Sequence, residues 1–213
     1  ESVVKIQGLA QGGKVLLAVS GGVDSVVSAL LMHKALGEQL ACVHVDTGLM
    51  RKGELDLSRK CLEPQGVRIK TIDARARFMD SLSGVSGSNR KTALVDREIM
   101  LVLEDEARAV GAIGLGLGVT YTDILDGSPS MDRMPSPDSP FKVIIQPVRK
   151  LFKEEVRQVA EQLNLPPELS QRPTFPTAGL AVRMMGPVTP EKLDMLREAD
   201  AIFCEEIQKA GLD

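Results

Sequence analysis

Ser20-Gly21-Gly22-Val23-Asp24-Ser25 sets two glycines between serines, with a carboxylate and no lysine. Glycine permits a tight turn and lets backbone N–H groups come up to an anion. An apolar run (residues 14–19, KVLLAV) precedes the hexapeptide, and apolar residues at helical spacing follow it. A strand-to-helix turn at this point directs the free N–H donors and partial positive charge of a helix N-terminus to the same place. The serine hydroxyls add donors. The chemistry these residues suit is the cradling of phosphate. The Gly-Lys-Ser/Thr ending of a Walker A loop is missing, and the pattern is not Gly-x-Gly-x-x-Gly, which argues against a dinucleotide site.

Elements that could position this turn alternate along the chain. Strands are expected at residues 14–19, 41–45 (ACVHV), 67–72, 112–117 and 142–146 (KVIIQ). Helices are expected at 25–36 with Gly37 as a stop, at 54–65 despite Pro64, at 89–111, at 152–163, and at 189–210 with Thr189 as cap and Pro190 first. Residues 128–140 hold four prolines and read as a loop, and 171–186 reads as irregular. Five strands with helical crossovers make an α/β domain with a parallel sheet and helices on both faces. Ligands of such sheets sit beyond the strand carboxyl ends at the switch in strand order. The expected division is a domain over 1–165 and a C-terminal segment and helix over 166–213 packed on it.

Composition narrows the class. With 213 residues the chain can bury one good core. A net charge of −3 and the absence of tryptophan argue against a nucleic-acid surface. Cys42, Cys61 and Cys204 form no CxxC, so a reducing, cytoplasmic setting is expected. No apolar run is long enough for a membrane span. The apolar stripe of the last helix (Leu193, Leu196, Ile202, Phe203, Ile207) suits either core packing or a contact between copies of the chain.

SGGVDS resembles the PP-loop of the N-type ATP pyrophosphatases. The stretches VHVDTGLMRKGE, PVRKLFKEEVR, FPTAGLAVRMMG and READAIFCEEI are similar to the ATP pyrophosphatase domain of the GMP synthetase family. The resemblance implies an adenine nucleotide alpha hydrolase-like fold, ATP and Mg2+ as the bound species, and adenylation of an acceptor oxygen followed by replacement of AMP with ammonia. It implies that Ser20, Gly21, Gly22, Val23, Asp24 and Ser25 hold phosphate, with Asp24 at the metal. It further implies that Val45 flanks adenine, that Arg97 and Gly118 lie at the nucleotide, and that Lys153 reaches the pyrophosphate. Asp24 and Lys153 are then the catalytic pair. The matched stretches include neither the glutaminase nor the dimerisation domain of that family, so ammonia is expected free or from a separate glutaminase subunit. The acceptor is expected to be a small molecule. Its motifs depart from the family's: Pro173–Leu180 reads PTFPTAGL, the 128–140 loop offers only Arg133 and Lys142 nearby as cations, and Tyr121-Thr122-Asp123 replaces Tyr-Pro-Asp. The resemblance implies XMP, converted to GMP, as the first acceptor. Amidation or sulfur insertion on another acceptor, and a non-catalytic nucleotide-binding module, are the alternatives.

Overall fold

The computed structural model describes residues 2–125, 138–172 and 175–211. Much of the 128–140 loop, with Arg133, and the Pro173-Thr174 pair lie outside the described residues.

The chain builds a five-stranded, wholly parallel sheet in the order β3-β2-β1-β4-β5. The strands are β1 (Val15–Ala18), β2 (Leu40–Asp46), β3 (Ile69–Asp73), β4 (Gly114–Gly116) and β5 (Val143–Ile145). The order runs outward from β1 in both directions, so the switch falls between β1 and β4. The period-two alternation of β1 sorts its side chains onto two cores. Val15 and Leu17 face one cluster, built with Val26, Val27 and Met32 of α2 (Val23–Leu36), Ile6 of α1 (Ser2–Ala10) and Val156 and Ala160 of α7 (Lys153–Gln162). Leu16 faces the other, with Phe78 of α4 (Arg75–Ser81) and Val95, Leu103 and Ala107 of α5 (Ser88–Val110). The second core also takes Ala178, Leu180 and Ala181 from a 3-10 stretch (Gly179–Arg183) and Leu193 from α9 (Pro190–Lys209). Among the described residues no helix is long and apolar enough to cross a membrane.

Several expectations shift by a turn or less, each for a local reason. The helix expected over 54–65 is α3 (Glu54–Leu62) followed by a 3-10 turn at Glu63–Gln65. Pro64 has no N–H to continue the α ladder. The third strand starts at Ile69 instead of residue 67, because the Val67 N–H donates to the Leu62 carbonyl at 3.1 Å and so closes α3. Thr189 caps α9 as expected, its hydroxyl accepting from the Lys192 N–H at 3.3 Å. Four helices were not legible: α1, α4, α6 (Tyr121–Leu125) and α8 (Pro167–Ser170). They are short, and each buries two residues or fewer, too few to give a period.

Phe78 is fully buried where α4 meets α5 and the sheet. Phe78→Ala is expected to cost about 3–5 kcal/mol of stability through lost burial and a residual cavity. Equilibrium denaturation in urea checks this, with a lower midpoint and an unchanged slope as the expected result.

Candidate functional site

The turn after β1 is set from below before its own residues contribute. The Val19 N–H donates to the Val43 carbonyl at 2.8 Å, and the Val19 carbonyl accepts from Nδ1 of His44 at 2.9 Å. A carbonyl can only accept, so Nδ1 carries the proton of this bond, and burial lowers the pKa of His44. Chain direction then changes at Gly21, whose φ is +102°. A Cβ there would stand 3.0 Å from the Glu54 carbonyl oxygen and 3.3 Å from Glu54 Cγ, so the position needs glycine twice over. Ser58 Oγ, one turn along α3, donates to the Gly21 carbonyl at 2.8 Å.

Gly22 is the N-cap of α2, and no side chain caps it. The Ser25 N–H turns back to the Gly22 carbonyl at 3.1 Å, and among the described residues no side chain caps the first turn of α2, which leaves the Val23 and Asp24 N–H groups available to an anion. Ser25 Oγ donates to the Gly22 carbonyl at 2.8 Å, and Ser20 Oγ lies 3.3 Å from Ser25 Oγ. Gly118, beyond β4, packs directly under this turn. A Cβ on it would meet Ser25 N at 2.8 Å and the Asp24 carbonyl carbon at 2.9 Å. The close approach of two backbones across the switch point accounts for glycine here.

The opposite wall comes from α6 and the start of α7. The Tyr121 N–H donates to the Leu151 carbonyl at 2.8 Å, and the Tyr121 and Phe152 rings meet edge to face at 5.1 Å. These contacts bring Asp123 and Lys153 side by side. Thr120 donates to Asp123 Oδ2 from its N–H at 2.9 Å and its hydroxyl at 2.8 Å. That leaves Asp123 Oδ1 to Lys153 Nζ, 3.6 Å away. Glu155 Oε2 accepts from the Phe152 N–H at 2.8 Å and fixes the entry to α7.

Asp24, Asp123, Lys153 and Arg157 share one field. Burial, followed by the Asp123 charge, pushes the Asp24 carboxyl up to about 6, against the pull of Lys153 and Arg157. Asp24 Oδ1 is buried and has no hydrogen-bond partner among the described residues. Asp123 and Arg157 are site neighbours that sequence reasoning did not select. Asp123 stood in a quoted motif, and Arg157 is one helical turn beyond Lys153 on α7, a spacing that puts both on one face.

Of the expected site residues, Ser20 to Ser25, Gly118 and Lys153 converge at the carboxyl ends of β1 and β4. Val45 is half-buried near the carboxyl end of β2. Arg97 is exposed on α5, and no hydrogen bond or ion pair among the described residues ties it to the turn.

The Asp24 shift has a sign that can be tested. Its folded-state value of about 6 exceeds the ordinary 3.8, so between these values the folded chain holds the proton more tightly than the unfolded one. The stability linked to Asp24 is complete below 3.8, is lost as pH rises through about 6, and then levels off. In metal-free buffer, Asp24→Asn is expected to lack this loss and to melt at a higher temperature than the parent at about pH 8. Melting curves of both proteins across this range check it. Parallel pH profiles would show that Asp24 does not carry the charge cost.

No protein-family model matches the chain. It is similar to a glutamine-hydrolyzing GMP synthase of Symbiobacterium thermophilum, 44% identical over 210 residues, covering 94% of this chain and 41% of that protein. A glutamine-hydrolyzing GMP synthase of Natranaerobius thermophilus is 40% identical over 222 residues, covering 100% of this chain and 44% of that protein. The chain thus spans about two fifths of the length of the curated relatives it matches. Among solved structures, an NH3-dependent NAD synthetase of Campylobacter jejuni superposes with a TM-score of 0.66 at 18% identity, covering 98% of this chain and 84% of that one. An NMN synthetase of Francisella tularensis gives 0.63 at 14% identity, covering 84% and 76%. The five-stranded parallel sheet with its helices is the adenine nucleotide alpha hydrolase fold that the NAD synthetase shares.

Proposed function

We propose that this chain carries out the ATP-dependent step of a GMP synthase-type reaction, with XMP as acceptor. The observation that carries the reading is the convergence of an uncapped helix N-terminus, two carboxylates and a lysine at the sheet's switch point. The 44% identity to a glutamine-hydrolyzing GMP synthase supports the choice of acceptor.

The acceptor's oxo oxygen bonds to the α-phosphorus of ATP while the adjacent ring N–H gives its proton to solvent, the α–β bridging P–O bond breaks, and pyrophosphate leaves with the electron pair. Ammonia then adds at the adenylated carbon, AMP leaves with the former oxo oxygen, and the nitrogen sheds its extra proton to solvent. In this scheme the N–H groups of Gly21 to Asp24 and the hydroxyls of Ser20 and Ser25 hold the β- and γ-phosphates. Lys153 and Arg157 balance the charge that grows on the leaving pyrophosphate. Val45 flanks the adenine, and Arg97 and Gly118 border the nucleotide. A glutaminase subunit, or free ammonia, supplies the nitrogen.

Asp24 and Asp123 suit a magnesium ion. Asp24 Oδ1 is a buried carboxylate oxygen without a partner among the described residues, beside a second carboxylate. Magnesium takes hard oxygen ligands and commonly only one or two protein carboxylates, the rest being water and phosphate. When bound, the ion supplies positive charge at the phosphates.

Pyrophosphate release with ATP, magnesium, ammonium and XMP tests the reading. Release that requires XMP is expected, and Asp24→Asn and Lys153→Ala are each expected to lower turnover by about 100- to 1,000-fold. Full turnover in Asp24→Asn would remove the site assignment. Release that ignores XMP but responds to another acceptor, such as a nicotinate adenine dinucleotide, would overturn the GMP synthase reading.

A further inference from the structure

The acceptor-side stretch and the phosphate turn, far apart in sequence, are joined in the structure through one buried carboxylate. Glu54 opens α3 and is 6% exposed. Its Oε2 accepts from Arg51 Nε at 2.7 Å and from Arg172 Nη2 at 2.9 Å. Its backbone carbonyl, the atom against which Gly21 packs, also accepts from Arg172 Nη1 at 3.4 Å. One residue thus touches the phosphate turn on one side and Arg172 on the other.

From Phe175 the chain is fastened at several further points. The Arg51 guanidinium lies 4.4 Å from the centre of the Phe175 ring and that of Arg183 lies 4.9 Å from it. The Leu180 N–H donates to the Leu49 carbonyl at 2.7 Å, and a Cβ on Gly179 would collide with that carbonyl oxygen at 2.2 Å. Lys91, fully buried, donates to the carbonyls of Ala181 at 3.0 Å and Met184 at 2.8 Å. Arg183 Nη1 donates to Asp200 Oδ1 at 2.7 Å. Of these fastenings, only Arg51 and Arg172 run to a residue in contact with Gly21.

We propose that Glu54 and Arg172 are positioning residues that couple occupancy of the phosphate turn to the order of the acceptor-side segment 175–184. An anion on the turn fixes Gly21, Gly21 fixes the first turn of α3, and the Glu54 carboxylate fixes Arg172 and the Arg51–Phe175 stack. Binding at the turn then lowers the cost of ordering the segment that this reading places against the acceptor. The inference rests on the proposed reading of the turn as a pyrophosphate site. It adds an ordered sequence, in which the nucleotide prepares the acceptor wall.

The test uses magnesium pyrophosphate as the probe and the chain as it stands. Calorimetry measures binding, and hydrogen exchange follows the backbone amides of residues 178–184. In the parent, saturating pyrophosphate is expected to slow exchange of these amides by about tenfold, within the usual range of coupling between sites. Arg172→Gln leaves Glu54 paired with Arg51, so the carboxylate keeps a compensating charge. This variant keeps the Glu54–Arg51–Phe175 path, so it is expected to bind pyrophosphate with little change and to retain only part of the protection of the segment, about threefold. Arg183→Gln loosens the same segment at a point away from the turn, and is expected to keep the ligand-dependent protection. Equal protection in the parent and Arg172→Gln would overturn the proposal, as would binding without protection in the parent. Loss of the response in Arg183→Gln as well would reduce Arg172 to a general structural role. Failure of pyrophosphate to bind the parent at all would instead remove the reading of the turn on which the proposal rests.

Discussion

Two carboxylates that repel each other are held together at the carboxyl ends of β1 and β4, and much of the surrounding structure serves that arrangement. Asp24 arrives on the first turn of α2, and Asp123 arrives on α6. Burial and mutual repulsion both oppose the charged form of Asp24. Lys153 and Arg157 offset part of this cost, and they can do so because Tyr121, Leu151 and Phe152 fasten the start of α6 to the start of α7. A group that is uncomfortable without a ligand and comfortable with a cation is suited to binding one. The stability given up at Asp24 is thus of the kind expected where a fold keeps a site ready.

The site is also built on close backbone approaches that side chains would block. Gly21 leans on the Glu54 carbonyl, Gly118 lies under the Asp24–Ser25 peptide, and Gly179 seats on the Leu49 carbonyl. These three contacts stack the β1–α2 turn, the β4 exit and the segment from Phe175 against their neighbours with no side chain between them. Main-chain contacts of this kind have little freedom to adjust. A displacement at one is passed to the next instead of being absorbed by a rotamer change. The tightness at Gly118 gives that glycine a structural reason of its own, independent of any nucleotide.

Local patterns made much of this architecture legible in the sequence. The apolar run before Ser20, the glycines of the turn and the Thr189-Pro190 start of the last helix each carry their own instruction, and the structure follows them. Elements without enough buried residues to show a period were not legible. α4 buries Phe78 alone within its span, and α6 buries none, although α6 carries Asp123 into the site. Asp123 could have been found from Thr120-Tyr121-Thr122-Asp123, where a hydroxyl three residues before a carboxylate is a helix-start pattern. Arg157 could have been found from its spacing to Lys153. The tie between Glu54 and Arg172 had no local signal, since 118 residues separate them.

That last separation bears on how acceptor chemistry is distributed over the fold. Counting cations in the 128–140 loop suggests a site poor in positive charge, because such a count treats the acceptor side as one stretch of chain. In the folded chain Arg51, Arg172 and Arg183 meet around Glu54, Asp200 and Phe175. Three guanidinium groups face two carboxylates there, and Glu54 joins them to the β1–α2 turn at Gly21. Arg51 Nη2 is buried without a hydrogen-bond partner among the described residues, and its guanidinium lies near the Phe175 ring face. An aromatic face accepts such a group where a carboxylate would neutralise it. Arg51 and Arg172 are largely buried there, so their charge is screened less than that of the more exposed Arg183. The field on this side of the turn is assembled by tertiary contact, from residues whose order in the sequence conceals it.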